Sequence, residues 1–414
     1  MTIRTAVAAG LIALAGSAQA GLFSSSKAEM HIVQLDSAIV DVQGITALTQ
    51  SVLSIVGVDR AVFEYDTVLT GFAAPLTPRQ VRLLSRLPLV TAIEKDQIVT
   101  IGAVQANATW GLDRVDEIGL PLDGNYEYPD QAGAGVHVYI IDTGVNPNHT
   151  EFAGRMGTGR NFVSDGPFGL SGLLPLPLPI DIFSLFGGEV DPEAWDDCNG
   201  HGTHVAGTAA GTQFGVAKQA TVHAVRVLGC GGSGSSAGVI AGMEWVAENA
   251  EYPAVVNMSL GGGASAAQDA AIDALFNAGI LPVVAAGNDN ADACNSSPGR
   301  APNAFNVASS DNQDRESSFS NHGVCVDIVA PGSSITSADF QSTNGSSVLS
   351  GTSMASPHVA GAAALILGAN PSLAPGDVAS ALLSNATVGA IALSPATAGT
   401  PNLLLNVLPE AGKP

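Results

Sequence analysis

The chain has 414 residues, 46% of them hydrophobic and 13% charged, about half the roughly 25% charged fraction of an average soluble domain; a large core is available and disorder is excluded as the main state. Its 48 glycines follow no period and its charges are too sparse for heptads, which removes collagen and coiled coil. With 15 Lys and Arg against 37 Asp and Glu, the formal charge of -22 repels nucleic acids and anionic membranes and favours cationic partners.

From the N-terminus, Arg4, the apolar run Ala6 to Ala15 and the small residues Ala18-Gln19-Ala20 predict an export signal over residues 1–20. Up to residue 102 there are 7 basic and 8 acidic residues, and beyond it 8 basic against 29 acidic, so the first expected domain boundary lies near residue 103. No stretch rivals a membrane span, because the most apolar one, Leu170 to Phe186, carries Pro175, Pro177, Pro179 and Asp181. The four cysteines, Cys198, Cys230, Cys294 and Cys325, all follow the boundary. In an exported protein an even count predicts two disulfides, with three pairings open.

Residues 21–102 read as a small α+β unit. Met30 to Gln34, Ala61 to Tyr65, Leu69 to Phe72 and Ile98 to Ile101 have the apolar content of short strands, and Thr77-Pro78 opens a helix over Arg79 to Leu87. From Ala132 the pattern changes. Val136 to Ile141, Thr221 to Val227, Ala254 to Met258 and Leu281 to Ala286 are nearly continuous apolar runs, as in strands covered on both faces. Helical spacing over Ala237 to Asn249, Ser265 to Ala278 and Ser353 to Gly368 alternates with them, which predicts an α/β fold with a mostly parallel central sheet and helices on both faces. Chemistry in such sheets gathers at the carboxyl ends of the strands.

Three segments carry that chemistry. Asp142 ends the strand HVYIID; His201 lies between glycines in NGHGTHVAGT, before a helix of small residues; Ser353 lies in GTSMASP, where Pro357, read as first-turn, places the serine at a helix N-terminus that favours a negative oxygen. A serine hydroxyl needs a base to take its proton, and the base needs a buried carboxylate to hold its tautomer. Asn288, after a buried strand, can offer a side-chain N–H beside the Ser353 backbone N–H to an oxyanion. An esterase of the α/β-hydrolase type uses the order Ser, Asp, His, which is not the order here. An exported binding protein on an enzyme scaffold remains the other class, and replacing Ser353 separates the two.

The segments VYIIDTGV, NGHGTHVAGT and NGSSVLSGTSMASPHVAG resemble the Asp, His and Ser signatures of the subtilisin-like serine proteases, in the family's order, over residues 107–408. VLTGFAAPLT and VTAIEKDQ in the first unit resemble the family's inhibitory propeptide. WGLDRVDEIGLPLDGNYEY, DDCNGHGTHVAGT, VRVLGCGGSGSSAGVIAGMEWV and VNMSLGGG resemble the proteinase K branch and its aqualysin-type members.

The resemblance implies a secreted serine endopeptidase of residues 103–408 with a short tail, 409–414, and autoprocessing near Gly102 or Ala103. By it Asp142 orients, His201 is the base, Ser353 the nucleophile, Asn288 the oxyanion donor and His204 structural. It pairs Cys198 with Cys230 and Cys294 with Cys325. Protein or peptide substrates would be clamped as an added strand between Gly231, Gly232, Ser233, Gly234 and Ser259, Leu260, Gly261, Gly262. A primary pocket lined also by Ala285, Ala286 and Gly287 shows no carboxylate and implies broad cleavage after apolar or aromatic residues. Structural calcium is implied at Pro302, Ala304 and Asp327, and at Asp113, Asp116, Glu117, Asp123 and Asn125, with Glu117 standing where relatives tend to have an amide. The apolar insertion at about 165–195 departs from the family; a flap over the cleft or an association surface is the expectation for it.

Overall fold

The computed structural model describes residues 28–36, 44–67, 69–96, 102–163, 190–393, 397 and 399–408. The export signal, the strand expected at Ile98 to Ile101, the tail 409–414 and all of the apolar insertion except 190–195 lie outside them. Two compact units divide the chain, Met1–Val99 and Thr100–Pro414.

In the first unit a four-stranded antiparallel sheet has the order β2 (Phe63–Tyr65), β3 (Gly71–Leu76), β1 (Glu29–Leu35), β4 (Val90–Lys95). Helices α1 (Ile45–Val56) and α2 (Pro78–Leu84) complete a core of Val33, Leu48, Val52, Leu53, Phe72, Leu76 and Leu84. A capping box between Thr77 and Gln80 starts α2, and the helix ends at Leu84 rather than Leu87. Two elements were not expected. The helix α1 buries only one narrow stripe, and β4 is an edge strand whose residues are exposed or half-buried, so neither has the apolar density of a buried run. Strand β3 runs through Pro75, which lies past the end of β2, where β3 pairs with β1 alone.

The second unit holds, among the described residues, a nine-stranded sheet. Its order is β18 (Thr387–Val388), β19 (Leu403–Leu404), β15 (Ile328–Pro331), β14 (Phe305–Ser310), β12 (Leu281–Ala285), β10 (Ala254–Met258), β7 (His137–Asp142), β9 (Thr221–Arg226), β8 (Arg160–Asn161). All neighbours are parallel except β18 and β19. Alternation along β7 divides the core: Val138 and Ile140 pack with α4 (His201–Ala210) and α7 (Thr352–Ala369), whereas Tyr139 and Ile141 pack with α5 (Ser236–Asn249) and α6 (Ala266–Asn277). A hairpin of β5 (Gly102–Ala106) and β6 (Asn125–Pro129) encloses α3 (Trp110–Asp116). Both disulfides are formed, Cys198–Cys230 and Cys294–Cys325.

Candidate active site

Asp142 is the last residue of β7 and has the parity of Val138 and Ile140, so its carboxylate faces α4. It is fully buried, and its Oδ1 accepts the Thr143 N–H at 2.7 Å and the His201 Nδ1–H at 2.8 Å. His201 is the first residue of α4, reached through Gly200 at φ 109, where a Cβ would also strike the Phe340 ring at 2.5 Å. Burial pulls the imidazole pKa down, but the Asp142 charge, its hydrogen bond and Asp197 outweigh this, and the net shift is upward from 6.5. With Nδ1 committed to Asp142 and the side chain 27% exposed, Nε2 is the nitrogen left to exchange a proton.

Asp197 was not singled out from the sequence. Its Oδ1 accepts from Thr143 Oγ1, Asn199 N–H and Gly200 N–H, and its Oδ2 from Thr203 N–H and Oγ1, so it satisfies the start of α4 and ties it to the turn after β7. An acid four residues before a histidine that opens a helix was the available signal. His204, one turn along α4, is fully buried with Nε2 donating to the Ile335 carbonyl at 3.0 Å, and burial pushes it down to about 4.

Ser353 is the second residue of α7, whose first is Thr352. Pro357 stands in the second turn rather than the first, and its missing N–H leaves the Ser353 carbonyl without the usual i+4 donor. The Ser259 hydroxyl takes that place at 2.8 Å and also meets Ser356 Oγ at 2.9 Å. The Ser353 hydroxyl itself donates to the Ser259 carbonyl at 3.2 Å. Asn288 Oδ1 accepts from Thr352 N–H at 2.8 Å and Thr352 Oγ1 at 3.0 Å, and its Nδ2 and the Ser353 backbone nitrogen both lie beside Gly351 at the start of α7. Gly287 before it, at φ 105, leaves room for Asn321, which a Cβ would strike at 2.3 Å.

A cleft of about 360 Å³ joins His201 with Leu228, Gly232, Ser233, Gly234 and Ser259 to Gly262. Its described lining has no carboxylate, lysine or arginine. Ser353, Asn288, Gly231, Ala285, Ala286 and Gly287 lie outside that lining, with Ala285 and Ala286 buried in and beyond β12. Strand β11 (Gly262–Gly263) is paired on one side with β13 (Ser296–Ser297), and both of its glycines are exposed.

Residues 133–405 match the model of the Subtilase family, and residues 30–102 match Peptidase inhibitor I9. The chain belongs to the subtilase family. This subtilase is 46% identical over 373 residues to the "Extracellular serine proteinase" of Thermus sp. (strain Rt41A), covering 90% of this chain and 83% of that one. It is also 46% identical over 353 residues to the "Alkaline serine exoprotease A" of Vibrio alginolyticus, covering 84% of this chain but 60% of that one. The crystal structure of a cold adapted subtilisin-like serine proteinase superposes with a TM-score of 0.64 at 48% identity, over 73% of this chain and 99% of that chain. The subtilase is a serine protease with an I9 inhibitor unit before its peptidase domain, and none of its described helices is long and apolar enough to cross a membrane.

Subtilases commonly bind structural calcium, and two acidic regions can be tested for fit. Asp113 and Asp116 on α3 are buried, and each takes one backbone N–H, from Gly124 at 3.0 Å and Glu127 at 2.6 Å. The second oxygen of each is buried without a hydrogen-bond partner, and burial pushes both carboxyls up, Asp116 to about 7. Asp123 lies near enough to raise Asp113 further, and Glu117 raises both. Unpartnered buried oxygens on crowded carboxylates suit a hard cation. Ala304 and Asp327 immediately precede the adjacent strands β14 and β15; burial raises the Asp327 carboxyl to about 6 although Oδ2 accepts the Asn306 N–H at 2.7 Å.

Proposed function

We propose that this subtilase is a secreted serine endopeptidase that forms an acyl-enzyme on Ser353 and removes its own N-terminal unit, residues 21–102. The observation that carries the reading is the 2.8 Å bond between His201 Nδ1 and the fully buried Asp142. It fixes the tautomer in which Nε2 carries the lone pair and stabilises the imidazolium formed when His201 takes the Ser353 proton. Ser353 Oγ attacks the scissile carbonyl, His201 returns the proton to the leaving amine, and water repeats the cycle on the ester. The developing oxyanion is met by Asn288 Nδ2 and the Ser353 backbone N–H at the start of α7, where the helix dipole adds to both.

An uncharged cleft wall supports broad cleavage after apolar or aromatic residues of protein and peptide substrates. Exposed glycines on both sides of the cleft suit clamping of an extended chain by backbone hydrogen bonds. The I9 match over residues 30–102 supports inhibition by the unit that is later removed, with the cut near Gly102 or Ala103, the first residues of β5. The leader at residues 1–20 and the extracellular name of the Thermus relative support secretion. Calcium held by Asp113, Asp116, Glu117, Asp123 and Asn125, and by Pro302, Ala304 and Asp327, would supply charge compensation to carboxylates that burial now disfavours.

The test compares the precursor with its Ser353→Ala variant by intact mass spectrometry. The parent should lose the unit ahead of residue 103 while the variant stays joined and hydrolyses no peptide. Processing of both alike would overturn self-cleavage, and a peptide library cut only after basic residues would overturn the specificity.

A further inference from the structure

The far end of β7 holds a second cluster. His137, the first residue of β7, shares a face with Tyr139, and Tyr139 is the register partner of His223 on β9. These three side chains therefore lie on the α5 and α6 face of the sheet, opposite the face and the strand end that carry Asp142. His223 Nδ1–H donates to the Thr158 carbonyl at 3.0 Å, so its Nε2 carries the lone pair and accepts the His137 Nδ1–H at 2.9 Å. Glu251, just after α5, brings a carboxylate oxygen to within 4.8 Å of both ring nitrogens. Its backbone is held there by its N–H donating to the Tyr139 hydroxyl at 2.9 Å.

We propose that His137, His223 and Glu251 form a structural site for a divalent transition metal of the zinc type. Two imidazole nitrogens and one carboxylate oxygen are a borderline donor set that suits Zn²⁺, Ni²⁺ or Cu²⁺ better than calcium or magnesium. Donors about 2.0–2.1 Å from a tetrahedral zinc stand roughly 3.3 Å apart, so the ion takes the place of the His137–His223 hydrogen bond when the His137 proton moves from Nδ1 to Nε2 and the 2.9 Å pair opens slightly. A backbone carbonyl anchoring the distal ring nitrogen is the usual support of a metal-bound histidine.

The His223 ring is also rigid. Tyr139 stacks on it at 4.2 Å and 16°, and on Gly157 a Cβ would strike the ring at 2.2 Å. His137 is half-buried and Glu251 exposed, which leaves a path for the ion and a position for water. The clip would join the starts of β7 and β9 to the segment after α5.

The experiment uses the untagged full chain carrying Ser353→Ala, so that it stays intact, with calcium in excess throughout. Zn²⁺ is titrated calorimetrically, and Co²⁺ is titrated with visible absorption as readout. One equivalent of Zn²⁺ should bind, raise the melting temperature and give a Co²⁺ spectrum of nitrogen and oxygen ligation. His137→Gln and Glu251→Gln should each weaken Zn²⁺ at least about tenfold while keeping the metal-free melting temperature. Absence of binding to the parent, or binding that both variants leave unchanged, as zinc at His201 would give, overturns the site.

Discussion

Strand β7 begins at one histidine cluster and ends at another, and the two regions hold their imidazoles in opposite states. At the carboxyl end His201 is pushed above 6.5, because a fully buried Asp142 and the nearby Asp197 outweigh the cost of burial. At the amino end His223 is pushed down to about 4, because burial outweighs the neutral Thr158 carbonyl bonded to its Nδ1, His137 lowers it further, and the Glu251 carboxylate opposes them only in part. His204, one turn from His201 and also bonded to a carbonyl, falls to about 4 as well. Burial alone favours the neutral ring; only a buried counter-charge produces a base that is readily protonated. The first state suits proton transfer, the second a lone pair.

Changes at the carboxyl end should alter rate. Asp142→Asn removes the counter-charge, and we expect kcat on a peptide substrate to fall by roughly 10⁴-fold. The sign of the pH effect follows from the upward shift. Activity requires neutral His201, so in the parent it is lost as pH falls through a value above 6.5, and in the variant that acid limb should move lower. An unmoved limb in the kcat/KM profile would assign the titration to another group. Asn288→Ala removes one oxyanion donor and should cost about 10²–10³-fold in kcat with little change in KM; an effect confined to KM would make Asn288 a substrate-binding group instead.

Smaller effects sharpen the contrast between rate and stability. Asp116→Asn should leave kcat near the parent's and reduce the gain in melting temperature on adding calcium, since the unpartnered oxygen of Asp116 then presents no charge. An undiminished calcium gain measured by calorimetry would place the ion elsewhere. Smallest of all, His137→Gln should leave kcat/KM within about twofold, because the residue lies roughly 16 Å along the strand from Asp142 at about 3.3 Å per residue. A larger loss of rate would show the two ends of β7 to be coupled.

Strands β7, β9, β10 and β12 and helices α5, α6 and α7 were legible in the sequence as continuous apolar runs and helical spacing, whereas β14 and β15, although buried, were not singled out because polar residues interrupt their apolar runs or the runs are short. The edge strand β4 and the helix α1 were not, since half-exposed elements carry little of that signal. Asp142, His201 and Ser353 were marked by their glycine-bordered motifs and by resemblance. Apolar runs and their order determined the fold class, and residue type at strand ends and helix starts named Asp142, His201 and Ser353 as candidates, while their roles as orienting acid, base and nucleophile came from the resemblance. Tertiary structure decided what no local pattern contains. It put the Ser259 hydroxyl on the carbonyl that Pro357 leaves open, wrapped Asp197 around the start of α4, and brought His137, His223 and Glu251 together from three separate segments. Each of these depends on the register and twist of a sheet that is assembled from distant parts of the chain, and register is fixed by packing rather than by sequence neighbours.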